Sequence, residues 1–228
     1  AHNSQWGILL ARTNPDVPKH GGITFFLVDM ATPGIEVRPL RQITGHAHFN
    51  EVFLTDVAIP AENVVGEVDA GWGVTQTTLA SERGLIGGGS ATLGIDQLVE
   101  LARSFGRAAD AGTRQDLARA YTRIRLLEFL GYRAQTAVSQ GRMPGPEVSV
   151  MKLAISEHVE ALGNLLMDIE GPAATLAGTD APRDQMAQYQ FLGQWSMRLG
   201  GGTDQVQRNV IGERVLGLPR EARADKDV

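Results

Sequence analysis

The 228-residue sequence contains no cysteine, and only 6% of its residues are aromatic. Without thiols there is no disulfide, no thiolate metal site and no cysteine nucleophile, although this leaves the compartment open, because cytosolic proteins lack disulfides anyway. No apolar run approaches the roughly 18 residues that a membrane-spanning helix needs. Positive charge is not in excess: 21 Lys and Arg stand against 26 Asp and Glu, a net charge of −5. That balance argues against a nucleic-acid surface, which needs clustered positive charge to displace counterions from phosphates. Only three of the basic residues are lysine and eighteen are arginine, a skew that suits bidentate phosphate recognition but that coding bias explains equally well. The first residue is Ala1 rather than methionine, and "AHNSQWGILLART" has neither the basic region nor the apolar core of a signal peptide. It reads as the middle of a structured segment.

What remains is an ordinary globular composition, 43% hydrophobic and 21% charged, in a chain long enough for one large domain or two small ones. The first sixty or so residues carry strand signals. "WGILLART", "GITFFLVDM", "GIEVRPL" and "NEVFLTDVAIP" are rich in β-branched and aromatic residues and are separated by "NPDVPKHGG" and "TPG". They predict a small antiparallel sheet. After "GEVDAGWG" the apolar period changes from two to about 3.6.

Four helical stretches follow. The first runs from Val74 to about Phe105. The second carries apolar positions Leu117, Tyr121, Ile124, Leu127, Leu130, Ala134 and Ala137 and ends at "GRMPGP". A third stripe, Met151, Ile155, His158, Leu162, Leu165 and Ile169, is broken by "EGPAATLAGTDAPRD", and the last stretch begins at Gln188. The fold class is therefore α+β, a small antiparallel β-domain followed by an all-α up-and-down four-helix bundle. The tail "REARADKDV" is charged and expected to fray.

Two motifs carry the chemistry. In "RLGGGTDQVQR", residues 198–208, a bare glycine backbone before a helix start suits either an anion cradle or a plain turn capped by Thr203 or Asp204. Neither a Walker lysine nor a strand-glycine-helix unit accompanies it. In "LASERGLIGGGSATLG", Glu82 has Thr78, Leu79, Leu85 and Ile86 at its third and fourth neighbours. Its carboxylate then shares a helix face with apolar side chains, which raises its pKa and suits a general base working near neutrality. The alternative is a surface glutamate near a helix break, since Gly87, Gly88 and Gly89 follow. His46 and His48 fall on one face of a strand, but no third ligand is near and no metal site is expected. His158, within an apolar stripe, reads as a core histidine with a satisfied hydrogen bond. No GxSxG elbow supports serine hydrolase chemistry.

"TGHAHFNEVFLTDVAIPAENVVGEVDAGWGVTQTTLASER" and "LGGGTDQVQRNVIGERVLG" together resemble the flavin-dependent acyl-CoA dehydrogenases. The first is similar to their junction between the middle β-domain and the C-terminal helical domain, the second to their flavin loop and final helix. The resemblance implies domains at 1–66 (the latter part of the β-domain), 67–220 (the helical bundle) and 221–228 (a tail). It implies FAD as cofactor, an acyl-CoA thioester as substrate and an electron-transfer flavoprotein as acceptor. It also implies a homo- or hetero-oligomer and an expected cytoplasmic location.

Thr203 and Gln205 match the family residues that hydrogen-bond FAD. Many members carry the catalytic glutamate just before that Gly-Thr pair, where this chain has Gly201. Members resembling isovaleryl-CoA and long-chain acyl-CoA dehydrogenases carry it instead in an "LxxER" stretch, where "LASER" places Glu82. Near Phe105 and Gly106 the family often has an arginine contacting the flavin of a neighbouring subunit. Here the matching position is Ala102, with Arg103 one step later, so Arg103 and Phe105 are the expected flavin contacts of that segment. "DIEGPAATLAG" lacks the double glycine of the family's later loop. These departures leave open a noncatalytic partner subunit of a heteromeric enzyme, or a scaffold without ligand. Because the earlier half of the site would lie upstream, these 228 residues are expected to bind flavin weakly and to be inactive alone.

Overall fold

The computed structural model describes residues 1–86, 93–142, 145 and 148–220, with the side chains of 80–86 excepted. The chain divides into two compact units, Ala1–Gly88 and Gly89–Val228.

The first unit is built from two hairpins and a helix. Strands β1 (Trp6–Arg12) and β2 (Ile23–Asp29) pair antiparallel, with Trp6 opposite Asp29 and Arg12 opposite Ile23. Strands β3 (Ile35–Leu40) and β4 (Phe49–Leu54) form a second antiparallel pair, Ile35 opposite Leu54. The single sheet expected from the sequence is thus two separate two-stranded sheets. The reason lies on the free edge of β2. Single bridges from Val64 to Phe26 and from Ala70 to Ile23, with the Val65 amide donating to the Phe25 carbonyl at 2.9 Å, occupy the backbone groups that β3 would need.

That edge segment leads directly into helix α1 (Gly71–Ile86). Its first residue is glycine for a steric reason: a β-carbon on Gly71 would stand 2.4 Å from the Phe25 amide nitrogen. Beneath the junction Thr24, fully buried, shares a hydrogen bond of 2.7 Å with the Thr13 hydroxyl and accepts the Asp69 amide at 2.8 Å.

The second unit is helical. It contains α2 (Ile95–Ser104), α3 (Ala111–Ser139), α4 (Val148–Glu170), α5 (Met186–Leu199) and α6 (Asp204–Val210), the last continued by a π-helical turn at Ile211–Val215. Helix α3 begins before the apolar stripe that announces it, because Asp110 caps it by accepting the Thr113 amide at 2.8 Å. Leu98, Leu101, Leu162, Leu166 and Ile169 form the core between α2, α3 and α4, each fully buried leucine contributing about 2 kcal/mol.

The α4 stripe holds at every position, Met151 through Ile169 being buried or partly so. On α3 one position differs. Tyr121 is 49% exposed while Ala120 takes the inward place at 4%, since a small side chain allows close helix approach and the tyrosine hydroxyl stays in water. The segment between α4 and α5 consists of short 3-10 turns at Gly171–Thr175, Gly178–Asp180 and Pro182–Gln185. Pro172 and Pro182 lack the amide that a helix interior needs, and Gly171 and Gly178 have φ of +58° and +67°. The first predicted stretch, Val74 to about Phe105, is two helices, α1 and α2; residues 87–92 lie outside the described residues, as do the tail residues 221–228.

Candidate functional site

The glycine loop sits where α5 ends and α6 begins. Gly201 and Gly202 have φ of +67° and +96°, conformations costly for any residue with a β-carbon. Gln207, buried on α6, folds back and donates its side-chain amide to the Gly201 carbonyl at 2.9 Å and the Gly202 carbonyl at 3.4 Å. A β-carbon on Gly202 would meet that amide nitrogen at 2.7 Å. The bare backbone therefore has a purpose within the chain, whatever else approaches it.

Thr203 is the helix cap: its hydroxyl oxygen accepts the Val206 amide at 3.3 Å, one of the two caps that the sequence allowed. Gln205 is the second residue of α6, with its side chain exposed. These two residues present a hydroxyl and a carboxamide from one rigid, capped turn.

Beneath them lies a set of charges drawn together from distant parts of the chain. The buried Asp204 carboxylate lies 2.8 Å from Arg198 Nε and 3.2 Å from Lys152 Nζ. Arg198 extends to Glu160 at 3.0 Å, and on the outside Arg208 pairs with Glu157 at 2.9 Å. Burial works to raise the Asp204 pKa, but hydrogen bonds from Arg198, Lys152 and Ser156 outweigh it and hold the carboxyl below its usual range. A carboxylate so paired is a poor proton acceptor. Lys152 and Asp204 are 52 positions apart, so no local pattern links them.

The other expected site residues are placed as follows. Arg103 and Phe105 stand together at the C-terminal end of α2, where Phe105 packs partly buried against the core and Arg103 makes a surface pair with Glu100 at 3.5 Å. Ala102, at the position of the family arginine, is fully buried. Glu82 falls on α1 in the first unit, and its side chain lies outside the described residues. His46 and His48 stack with ring centroids 5.2 Å apart, and among the described residues no group of three His, Asp or Glu is placed to hold a metal ion. No helix among them is long and apolar enough to cross a membrane.

His158 corrects its expectation in part. It is buried at 1% exposure, but neither ring nitrogen has a hydrogen-bond partner among the described residues. Its neighbours on the α4 stripe are apolar. Burial, with a smaller push from the Arg123 charge, lowers its pKa and keeps the ring neutral. Glu170, at the end of α4 and 3% exposed, also has both carboxylate oxygens unpaired. Burial raises its pKa, against a smaller pull from Arg183. Sequence reasoning missed Glu170, which has no motif around it.

Hairpins followed by packed amphipathic helices, with a capped glycine turn at the end, define an α+β protein with a polar turn on a helical unit. The model of the acyl-CoA dehydrogenase C-terminal domain matches residues 69–216, and the chain belongs to the acyl-CoA dehydrogenase family. It is 42% identical over 221 residues to acyl-CoA dehydrogenase FadE34 of Mycobacterium tuberculosis H37Rv, covering 96% of this chain and 30% of that protein. It is 38% identical over 239 residues to acyl-CoA dehydrogenase IpdE1 of the same organism, covering 98% of this chain and 58% of that one. The chain thus spans less than two thirds of the length of these relatives. Among solved structures it resembles the Tcur3481-Tcur3483 steroid ACAD, with a TM-score of 0.86 and 26% identity over 96% of this chain and 58% of that one. It also resembles the ChsE4-ChsE5 complex of Mycobacterium tuberculosis, with a TM-score of 0.77 and 28% identity over 96% of this chain and 59% of that one.

Proposed function

We propose that the protein catalyses the FAD-dependent α,β-dehydrogenation of an acyl-CoA thioester, with Glu82 as the base. The family match carries this reading, because residues 69–216 include both Glu82 and the Thr203–Gln205 turn. The functional domains are then drawn at the family boundary, 1–66, 67–220 and the tail 221–228, with the helices from 67 onward forming the family's four-helix bundle.

The residues present fit a flavin. Thr203 spends its oxygen lone pair on the Val206 amide and keeps its hydroxyl proton to donate. Gln205, exposed, offers both an amide donor and a carbonyl acceptor. Arg103 and Phe105 supply a cation and a ring from the end of α2. When bound, the flavin supplies the two-electron acceptor for the hydride that leaves the substrate β-carbon. Glu82 takes the α-proton onto its carboxylate. Gly201 carries no carboxylate at the family's other position for the base, and the role is therefore assigned to Glu82. Electrons pass to an electron-transfer flavoprotein, and the protein works as an oligomer.

Replacing Glu82 with Gln in the full-length protein should abolish turnover while the yellow flavin stays bound; retained turnover would count against the assignment. A panel of acyl-CoAs including one with a steroid side chain, added while the visible spectrum is recorded, tests the substrate class by bleaching. The glycine at position 201 also favours a second reading, a noncatalytic partner subunit that stabilises an active homologue. In that case the purified full-length protein would be colourless and would oxidise no acyl-CoA.

A further inference from the structure

The Arg198–Asp204 pair brackets the glycine loop. Arg198 lies in the last turn of α5 and Asp204 is the first residue of α6, so their contact at 2.8 Å closes the segment 199–203 from end to end. Lys152, on α4 and 12% exposed, bonds both bracket residues. Its ammonium donates to Asp204 Oδ1 at 3.2 Å and to the Arg198 carbonyl at 3.4 Å. Ser156, one turn further along α4, donates to the Met197 carbonyl at 3.2 Å.

A buried ion pair of this kind is weak evidence of stability, since desolvation offsets most of the attraction. What it supplies is a fixed geometry. The loop needs that, because three consecutive glycines leave more backbone conformations open than any other residue type.

We propose that Asp204 is a positioning residue which, through Arg198 and Lys152, staples the glycine loop shut and so fixes Thr203 and Gln205 in the orientation that a flavin meets. The inference rests on the flavin reading above for its ligand but on the ion pairs alone for its mechanics. Asp204 itself faces inward, 3% exposed, and acts through its neighbours. The staple differs from the Gln207 contacts, which hold the loop carbonyls from within rather than its two ends.

The test uses the full-length protein and its Asp204→Asn, Arg198→Gln and doubly substituted forms. Two quantities are measured: the FAD dissociation constant, by titrating the apoprotein with FAD, and the rate of chymotryptic cleavage after Leu199 in the apoprotein. A folded far-UV circular dichroism spectrum is required of each form. Each single substitution should weaken FAD binding about tenfold or more and speed cleavage by a similar factor, with the double variant no worse than either single one, as for two halves of one contact. An unchanged FAD affinity and cleavage rate in Asp204→Asn overturns the proposal, as does strict additivity of the two substitutions. If Asp204→Asn does not fold, Arg198→Gln carries the same test, because it removes the other end of the pair. A wild-type protein that binds no FAD defeats the flavin reading. The cleavage comparison then still decides whether the staple exists.

Discussion

On α4, Gly163 meets α5 so closely that a β-carbon there would stand 3.0 Å from Cα of Phe191 and 3.3 Å from the Gln190 carbonyl oxygen. Those atoms are backbone and cannot swing aside. Alanine gains about 1 kcal/mol over glycine in a helix interior, but overpacking against rigid neighbours costs about 1–3 kcal/mol. Gly163→Ala should therefore lower stability by about 1 kcal/mol net, and Gly163→Val by more, read as a drop in the urea midpoint at constant slope. An unchanged midpoint for both would mean that the two helices separate freely.

His158 is buried neutral, with its folded pKa lowered from 6.5 by burial and by Arg123. The unfolded chain takes up a proton below that value while the folded chain does not. Its contribution is therefore present above 6.5 and lost as pH falls toward the folded pKa. Between about pH 7 and pH 5 the protein should lose stability through this group. His158→Leu should flatten that part of the stability profile. Equal slopes in the two proteins would refute it.

Glu170 has the opposite sign. Its folded pKa is raised from 4.5 by burial, so the folded chain holds the proton more tightly. The favourable contribution is present below the unfolded value and is lost as pH rises through the folded one. Glu170→Gln, which keeps the shape and removes the charge, should stabilise the protein near about pH 7 and have little effect near about pH 4. Thermal melts at both pH values check this, and destabilisation at neutral pH would contradict it.

Gly202 should not accept alanine. Its φ of +96° strains any β-carbon by about 1–3 kcal/mol, and the new methyl would displace the Gln207 amide from the two loop carbonyls. Gly202→Ala in the full-length protein should weaken FAD binding at least as much as Gln207→Ala. The comparison is made by titrating the apoproteins with FAD.

The helical part of the fold was legible because burial imprints a period on the sequence. The stripe from Met151 to Ile169 appears in the structure position by position, and Thr203 caps α6 as one of the two caps the sequence offered. Pairing was less legible. β2 prefers the edge segment at Val64–Ala70 to β3, a choice that depends on how the chain turns after β4 and not on the composition of any strand. Tyr121 and Ala120 exchange places because an apolar alphabet counts tyrosine as inside while its hydroxyl wants water.

Within the candidate site, the motif residues Thr203 and Gln205 could be named from their neighbours, whereas the charges beneath them could not. Lys152, Arg198 and Asp204 converge from three helices, and nothing in their sequence contexts distinguishes them from solvated surface charges. His158 shows the reverse failure. Its burial was readable from the stripe, but its unpaired ring nitrogens depend on what faces it.

The seat of α1 on β2 makes that helix a lever. With Gly71 pressed against the Phe25 amide, the fulcrum is fixed, and eleven residues of helix put position 82 about 16 Å away. A tilt of about 4° at the fulcrum sweeps that end through about 1 Å, a displacement that can slow a proton transfer on the order of a hundredfold. On the role proposed for Glu82, a bulkier residue at position 71 would detune turnover from the far end of the helix without touching the thioester.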